Sequence, residues 1–194
     1  MENLSIVDIT PCYEHACVLS SVWSSAWPQI AIKSGYSIDQ ILSRLETRSI
    51  SWWIKAIKKM PVAFYVKDNV TGATGFSYLM YDTDIMLLSG KNFSDKEKEE
   101  NDKLLNVYSF LEKETWGTDL SKELGKTLVK KTLEKNIYVF GGWVMKTNGR
   151  SSAAAEKGHW KLSKEIASPI WEPNIDFKYY VFDNTDFARK NGLI

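Results

Sequence analysis

Apolar positions along this chain recur at two different periods. Between Pro11 and Pro28, residues Ala16, Leu19, Val22, Trp23, Ala26 and Trp27 fall at helical spacing, which predicts an amphipathic helix with a heavy aromatic end. Thr10 offers a cap, Pro11 suits a first helical turn, and Pro28 is expected to stop or kink the helix. Ser5–Ile9, just before it, reads as a short edge strand. A second helix opens at Ser37, where Gln40 stands three residues on as in a capping box, and Ile38, Ile41, Leu42 and Leu45 give its apolar face. Ser51–Met60, with Trp52, Trp53, Ile54 and Ile57, predicts a third, short helix.

The period then shortens. Val62–Val66 predicts a strand, Asp68–Gly72 a hairpin connection, and Ala73–Tyr81 the returning strand, with Gly75 inside it. The charged stretch Lys91–Lys103 predicts a solvated loop or exposed helix. Leu104–Leu111 is strand-like. Asp119–Lys135 is helical, with Leu120, Leu124, Leu128, Val129 and Leu133 on one face and lysines gathered toward the C-terminal half, where the helix dipole favours them. Asn136 is a credible left-handed terminator. Ile137–Phe140 and Trp143–Met145 are strand material, with a bulge expected at Gly141-Gly142; Ser151–Lys157 is helical, and Lys178–Phe182 is the last strand. The order is strand, helices, antiparallel meander, helix, strand, helix, strand. It predicts a mixed α/β fold, and with no internal repeat or linker, one domain over residues 1–194.

Composition narrows the classes. A hydrophobic fraction of 44% and an aromatic fraction of 13% favour a packed core over disorder. A formal net charge of +1 gives no electrostatic case for a nucleic-acid or anionic-membrane partner. No leader-like start or membrane-span-length apolar run is read, so a cytoplasmic protein is expected. Cys12 and Cys17 are expected to be reduced thiols partly in the core; with His15 and His159 as the only histidines, neither a metal site nor a Ser-His-Asp or Cys-His set is expected.

The stretch Trp143-Val-Met-Lys-Thr-Asn-Gly-Arg-Ser-Ser-Ala-Ala-Ala-Glu-Lys-Gly-His-Trp160 reads as a buried strand, a turn at Asn148-Gly149 and a small helix ending near Gly158. It resembles the last conserved block of the GCN5-related N-acetyltransferases (GNAT superfamily), in which a strand of the type Leu-Trp-Val-Leu leads to Asn-x-Arg-Ala and a short helix ending in Phe-Tyr-Glu-Lys-x-Gly-Phe/Trp. The likeness extends along the chain. Ile6–Thr10 and the Trp23/Trp27 helix resemble the family's first strand and helix, Val62–Val66 and Gly75-Phe76-Ser77 its next strands, and Leu105–Leu111 with Trp116-Gly117 its central strand and pyrophosphate loop. The resemblance implies a GNAT-type acyl-CoA N-acyltransferase fold, with a central, mostly antiparallel sheet flanked by helices. It implies acetyl transfer from acetyl-CoA to a primary amine of a small molecule or a protein, by direct attack and with no metal.

The same resemblance implies a site. Two neighbouring strands would splay at a bulge in the central strand, and the backbone of Val107, Tyr108 and Ser109 would pair with pantetheine. Trp116, Gly117, Thr118, Asp119, Leu120 and Ser121 would face the pyrophosphate at a helix N-terminus. Asn148 and Arg150 match the family's Asn-x-Arg, as cofactor contacts or as helix cap and surface residue. Trp23, Trp27, Trp52 and Trp53 come from the region that shapes the acceptor pocket; core packing is the other role open to them. Two departures stand out. Asp119 and Ser121 replace the motif glycines; Thr118 or Asp119 is expected to cap the helix, and Asp119 to place like charge beside phosphate. Ala155 stands where the family commonly carries a tyrosine that protonates the leaving thiolate. Tyr108 and Tyr138 are substitutes to weigh against packing, and Glu99, Glu100 and Asp102 are candidate bases to weigh against solvated charge. Because of these departures, a catalytically inactive GNAT-fold binding or regulatory module, such as a homodimer built on a tryptophan-rich surface, is the competing expectation.

Overall fold

The computed structural model describes residues 3–112, 115, 117–167, 175–190 and 192. One mixed sheet organises them. Its strands are β1 (Leu4–Asp8), β2 (Val62–Asp68), β3 (Thr74–Met80), β4 (Asn106–Leu111), β5 (Val139–Met145), β6 (Lys161–Ile166) and β7 (Phe177–Asp183). They lie in the order β1-β2-β3-β4-β5-β7-β6, and every neighbouring pair is antiparallel except β4–β5. The helices are α1 (Tyr13–Lys33), α2 (Ile38–Thr47), α3 (Ile50–Ile57), α4 (Asp82–Leu88), α5 (Asp95–Asn101), α6 (Asp119–Glu134), α7 (Gly149–Lys157) and α8 (Thr185–Lys190).

Strand alternation divides the core into two layers. On one face, Phe76, Tyr78 and Met80 of β3 meet Leu19, Val22 and Trp23 of α1 and Trp52, Trp53 and Ala56 of α3, all buried. On the other, Phe64, Val66 and Leu79 meet Leu120, Leu124 and Leu128 of α6, joined by Phe140. The aromatic layer interlocks mostly edge to face. Trp53 is fully buried and contacts Trp23, Trp52, Phe76 and Tyr78, with centroids 5.0 to 6.3 Å apart.

Local chemistry sets most boundaries. The Ser37 hydroxyl accepts from Gln40 N at 3.2 Å, and Gln40 Oε1 accepts from Ser37 N at 2.8 Å, closing the expected capping box of α2. Asp68 Oδ1 accepts from Val70 N and Thr71 N in the β2–β3 turn, and Gly72 completes it at a φ of 77°. Asn136 ends α6 at a φ of 57°, as its residue type suggests. After α7 the left-handed residue is His159, at 62°, rather than Gly158.

Four local expectations are corrected. Helix α1 begins at Tyr13 after Cys12, so Pro11 lies outside it; the Thr10 amide and hydroxyl engage His15 Nδ1 at 2.8 and 3.1 Å instead of capping. Of the stop or kink expected at Pro28, the stop is absent: α1 runs on to Lys33. An interior proline costs about 3 kcal/mol; burial of Trp23, Trp27 and Ala31 around it opposes that cost. Gly141-Gly142 forms no bulge, because β5 pairs with β7 without interruption from Val139↔Asp183 to Met145↔Phe177. β4 also carries no bulge against β3, the register holding from Met80↔Asn106 to Gly75↔Leu111.

Candidate active site

The sheet opens between its two parallel strands. β4 and β5 pair only at Asn106↔Gly141, with Gly141 N donating to Leu105 O at 2.8 Å. Beyond that point, among the described residues, Val107, Tyr108 and Ser109 have no strand partner on the β5 side. The opening therefore arises without the expected bulge. Glycine is what allows the close approach at its apex. A Cβ on Gly141 would sit 1.9 Å from the Tyr179 hydroxyl and 2.8 Å from Asn106 Oδ1, and one on Gly142 would sit 3.1 Å from Val107 Cγ1.

A carboxylate spans the apex on the α1 face. Asp82, the first residue of α4, accepts hydrogen bonds from the Tyr108 hydroxyl on β4 and, at 2.8 Å, from Trp143 Nε1 on β5. Asp82 keeps some exposure as a residue, but these partners enclose its carboxyl group. Burial raises its pKa above the usual carboxylate range, and the hydrogen bonds from Tyr108, Trp143 and Asn106 only partly oppose the shift. Burial, and then the Asp82 charge, push the Tyr108 phenol well above its ordinary value, so it stays protonated. Asn106 Oδ1 also accepts from the Tyr179 hydroxyl at 2.9 Å, and burial moves that phenol to about 12. The Lys164 ammonium lies 5.3 and 5.4 Å from the ring centres of Trp143 and Tyr179. The arrangement is a shielded carboxyl group held by the Tyr108 phenol and the Trp143 indole at the point where the two strands part, with Tyr179 and Lys164 beyond them.

The N-terminus of α6 stands at the far end of β4. Thr118 is its N-cap residue, but the hydroxyl donates to Thr115 O at 2.7 Å and makes no cap bond. The Ser121 hydroxyl turns back to Thr118 O. Asp119 is exposed and pairs with Lys122 at 2.9 Å, which holds its carboxyl below the usual range. The expected capping by Thr118 or Asp119 is therefore absent, because both side chains have other partners. The first amides of the helix remain available to an anion, and Lys122 offsets the charge of Asp119. Gly117 adopts a φ of 80° just ahead of the helix. A groove of about 840 Å³ runs from here to the β2–β3 turn, lined by Asp68, Thr71, Glu112, Thr115 and Asp119 among others. Its carboxylates, Asp68, Glu112 and Asp119, oppose an anion, so the groups there that favour one are the helix amides and Lys122.

The remaining candidates fall into place around these two regions. Asn148 caps α7 by accepting from Ser151 N at 3.3 Å, and Arg150 is exposed on the first turn of that helix. Ala155 is half-buried in α7. Tyr138 donates to Asn136 at the end of α6, away from the Asp82 group. Asp102 accepts from the amide and hydroxyl of Thr83, the residue after Asp82, and its charge raises the Asp82 pKa further. Glu99 is exposed, while Trp116 and the side chain of Glu100 lie outside the described residues. Trp23, Trp27, Trp52 and Trp53 are buried, so they offer no surface for a dimer. Among the described residues, no group of three histidine, cysteine or acidic residues could hold a metal ion.

Asp82 was not anticipated. Its only sequence signal is the acidic pair Asp82 and Asp84 directly after a strand, and α4 is too short for a periodic pattern to mark it.

No family model matches the chain, and no curated protein sequence matches it. Solved structures do match. The chain is similar to yncA of Salmonella typhimurium, assigned as an acetyltransferase and solved with its cofactor acetyl-CoA, at 7% identity and a TM-score of 0.64 over 95% of each chain. It is similar to the ribosomal-protein-S5-alanine acetyltransferase of Vibrio fischeri, at 11% identity and 0.62 over 96% of each. It is also similar to an N-acetyltransferase of Staphylococcus aureus Mu50, at 14% identity and 0.57, covering 94% of this chain and 99% of that one. In strand order, in flanking helices and in likeness to these structures, the chain has the fold of the GCN5-related N-acetyltransferases.

Proposed function

We propose that the protein transfers an acetyl group from acetyl-CoA to a primary amine, with Asp82 as the proton acceptor. The observation that carries this reading is the opening between β4 and β5 with a shielded carboxylate across its apex. The unpartnered backbone of Val107–Ser109 fits an extended pantetheine as an added strand. The amides of Asp119, Leu120 and Ser121 at the start of α6 fit the pyrophosphate, that of Thr118 being taken by Thr115 O at 3.2 Å, and Lys122 is a nearby cation. The thioester supplies an activated acyl group.

Asp82 orients the amine and takes its proton as the nitrogen attacks the carbonyl carbon. Its raised pKa makes it a better base for this step than an ordinary surface carboxylate. The new C–N bond forms as the C–S bond breaks, and the departing thiolate is protonated by water or, next to the opening, by the Tyr108 hydroxyl. Most of the acceleration comes from holding amine and thioester together.

Titration with acetyl-CoA, followed by thermal shift, tests the cofactor half of this reading. At 100 times the dissociation constant the ligand adds about 2.7 kcal/mol of stability. An unchanged melting temperature at millimolar acetyl-CoA would sink the proposal. Ala155 favours a second reading, a module of this fold that binds without turnover; stabilisation by acetyl-CoA with no product from any amine supports it.

A further inference from the structure

Helix α4, which carries Asp82, opens without a cap of its own. Its N-cap residue, Tyr81, makes no side-chain hydrogen bond to the first turn, so the leading amides need acceptors from elsewhere. Asp102 supplies one from further along the chain. Its Oδ1 accepts from Thr83 N at 3.4 Å, and its Oδ2 accepts from the Thr83 hydroxyl. Thr83 is only 2% exposed, so water does not stand in for this partner. Asp102 is half-buried, and its own amide donates to Lys98 O at 2.8 Å, which fixes it at the C-terminal end of α5.

The first turn of α4 is thus held on two sides. Asp82 reaches Tyr108 on β4 and Trp143 on β5, while the next residue, Thr83, is tied to Asp102 just ahead of β4. Consecutive helical residues point about 100° apart. Fixing Thr83 therefore fixes the direction in which the Asp82 side chain leaves the helix. At seven residues, α4 has too few internal hydrogen bonds to hold that direction alone.

The acceptor is charged although a neutral one would serve. Asn or Ser caps a helix amide about as well as Asp, without a second negative charge beside Asp82. That charge is felt: burial raises the Asp82 pKa most, the hydrogen bonds from Tyr108, Trp143 and Asn106 oppose the rise, and Asp102 adds to it. The other charged and titratable groups around Asp82 are occupied or neutral. Lys59, after α3, pairs with Asp84 at 3.2 Å, and Lys164 of β6 lies over the rings of Trp143 and Tyr179. Burial keeps the phenols of Tyr108, Tyr78 and Tyr179 protonated, although Arg48 pulls the first two the other way. We infer that Asp102 is a positioning residue for acetyl transfer: through Thr83 it sets the first turn of α4, so that Asp82 meets the amine from a fixed direction and beside a fixed charge. The effect on rate rests on the acetyl-transfer reading; the effect on Asp82 itself can be measured without cofactor.

The test uses the full chain. The Trp143 indole N–H donates to Asp82, so its proton–nitrogen resonance, followed against pH without acetyl-CoA, reports the ionisation of that carboxyl. It is the indole titration that disappears in Asp82→Asn. Asp102→Asn keeps a hydrogen-bond acceptor and removes the charge, and should move the midpoint of that titration to lower pH. Thr83→Val breaks the link and leaves the charge. It should lower kcat for acetyl transfer roughly 10- to 100-fold with little change in the KM for acetyl-CoA, the range for a misplaced catalytic group. Thr83→Ser, which restores the hydroxyl, should recover most of that loss. Asp102→Ala serves as the second variant should Thr83→Val fail to fold. A Trp143 midpoint unmoved in Asp102→Asn, or full kcat in a folded Thr83→Val or Asp102→Ala, overturns the inference, even where stability falls. A midpoint that moves as expected in a protein that yields no acetylated product supports the hold of Asp102 on Asp82 and removes the transfer reading instead.

Discussion

The two ends of the β4–β5 opening are built differently. The apex on the α1 face is enclosed: Asp82, Tyr108, Trp143, Asn106 and Tyr179 bond to one another from four separate elements. The N-terminus of α6 is open. Asp119 and Lys122 there are 80% and 68% exposed, and their ion pair lies within one helical turn. An enclosed polar group depends on every partner, because a lost bond leaves a buried orphan. An exposed pair is screened by water and contributes little. The departures in the loop ahead of α6 therefore weigh less against the proposed transfer than its sequence suggests, and the apex decides.

The largest effect should follow from removing the carboxylate. Asp82→Ala is expected to lower acetyl transfer by roughly 10²- to 10⁴-fold, and to destabilise the fold by about 1–3 kcal/mol because Tyr108 and Trp143 lose their shared acceptor. Asp82→Asn, which keeps an acceptor, should match the loss in rate with a smaller loss in stability. Steady-state assay beside urea denaturation separates the two, and full activity in Asp82→Asn would break the contrast. The enclosed carboxyl also carries a pH signature. Activity should rise with pH along a limb above the usual carboxylate range, as Asp82 ionises. Stability should run the other way. Across the window between the ordinary carboxylate pKa and the raised folded one, the folded state binds more protons than the unfolded state, so stability falls as pH rises. Asp82→Asn should flatten that slope.

Trp53→Ala comes next in size. It deletes the ring at the centre of the aromatic layer and should cost about 3–5 kcal/mol by denaturant titration. Gly141→Ala tests the apex sterically. Its new methyl would collide with the Tyr179 hydroxyl and Asn106, so about 1–3 kcal/mol should be lost together with transfer activity. An unperturbed variant would mean that the apex is looser than its contacts indicate. The smallest effect belongs to the open end. Asp119→Gly should tighten acetyl-CoA binding only a few-fold by calorimetry, because Lys122 already offsets the charge; a change of 100-fold would reverse the ranking of the two ends.

Sequence reasoning succeeded where the signal was periodic or local. The α6 face, the Ser37 capping box, the Asp68–Gly72 turn and the Asn148 cap all follow from residues a few positions apart. It missed β6, whose run Lys161–Ile166 is almost wholly exposed and has no buried face to give alternation. It missed α4 and α8, at seven and six residues too short to show a period. The apex escaped for a different reason. Asp82, Asn106, Trp143 and Tyr179 are scattered along the chain and meet only because β4 and β5 are adjacent, which is a property of topology. Tyr108 was identified by residue type as a stand-in acid, but the base was sought among Glu99, Glu100 and Asp102, just ahead of β4, rather than after the end of β3 beside it.

The single pairing at Asn106↔Gly141 has a mechanical corollary. The sheet is continuous in outline but consists of two ribbons, β1–β4 and β5–β7–β6, fastened at one rung. Such a joint gives the two halves separate opening equilibria, so amide exchange should report two cooperative blocks instead of one. A molecule that laid its own amides along Val107–Ser109 would act as the missing rungs, converting two ribbons into one slab and slowing exchange in both at once.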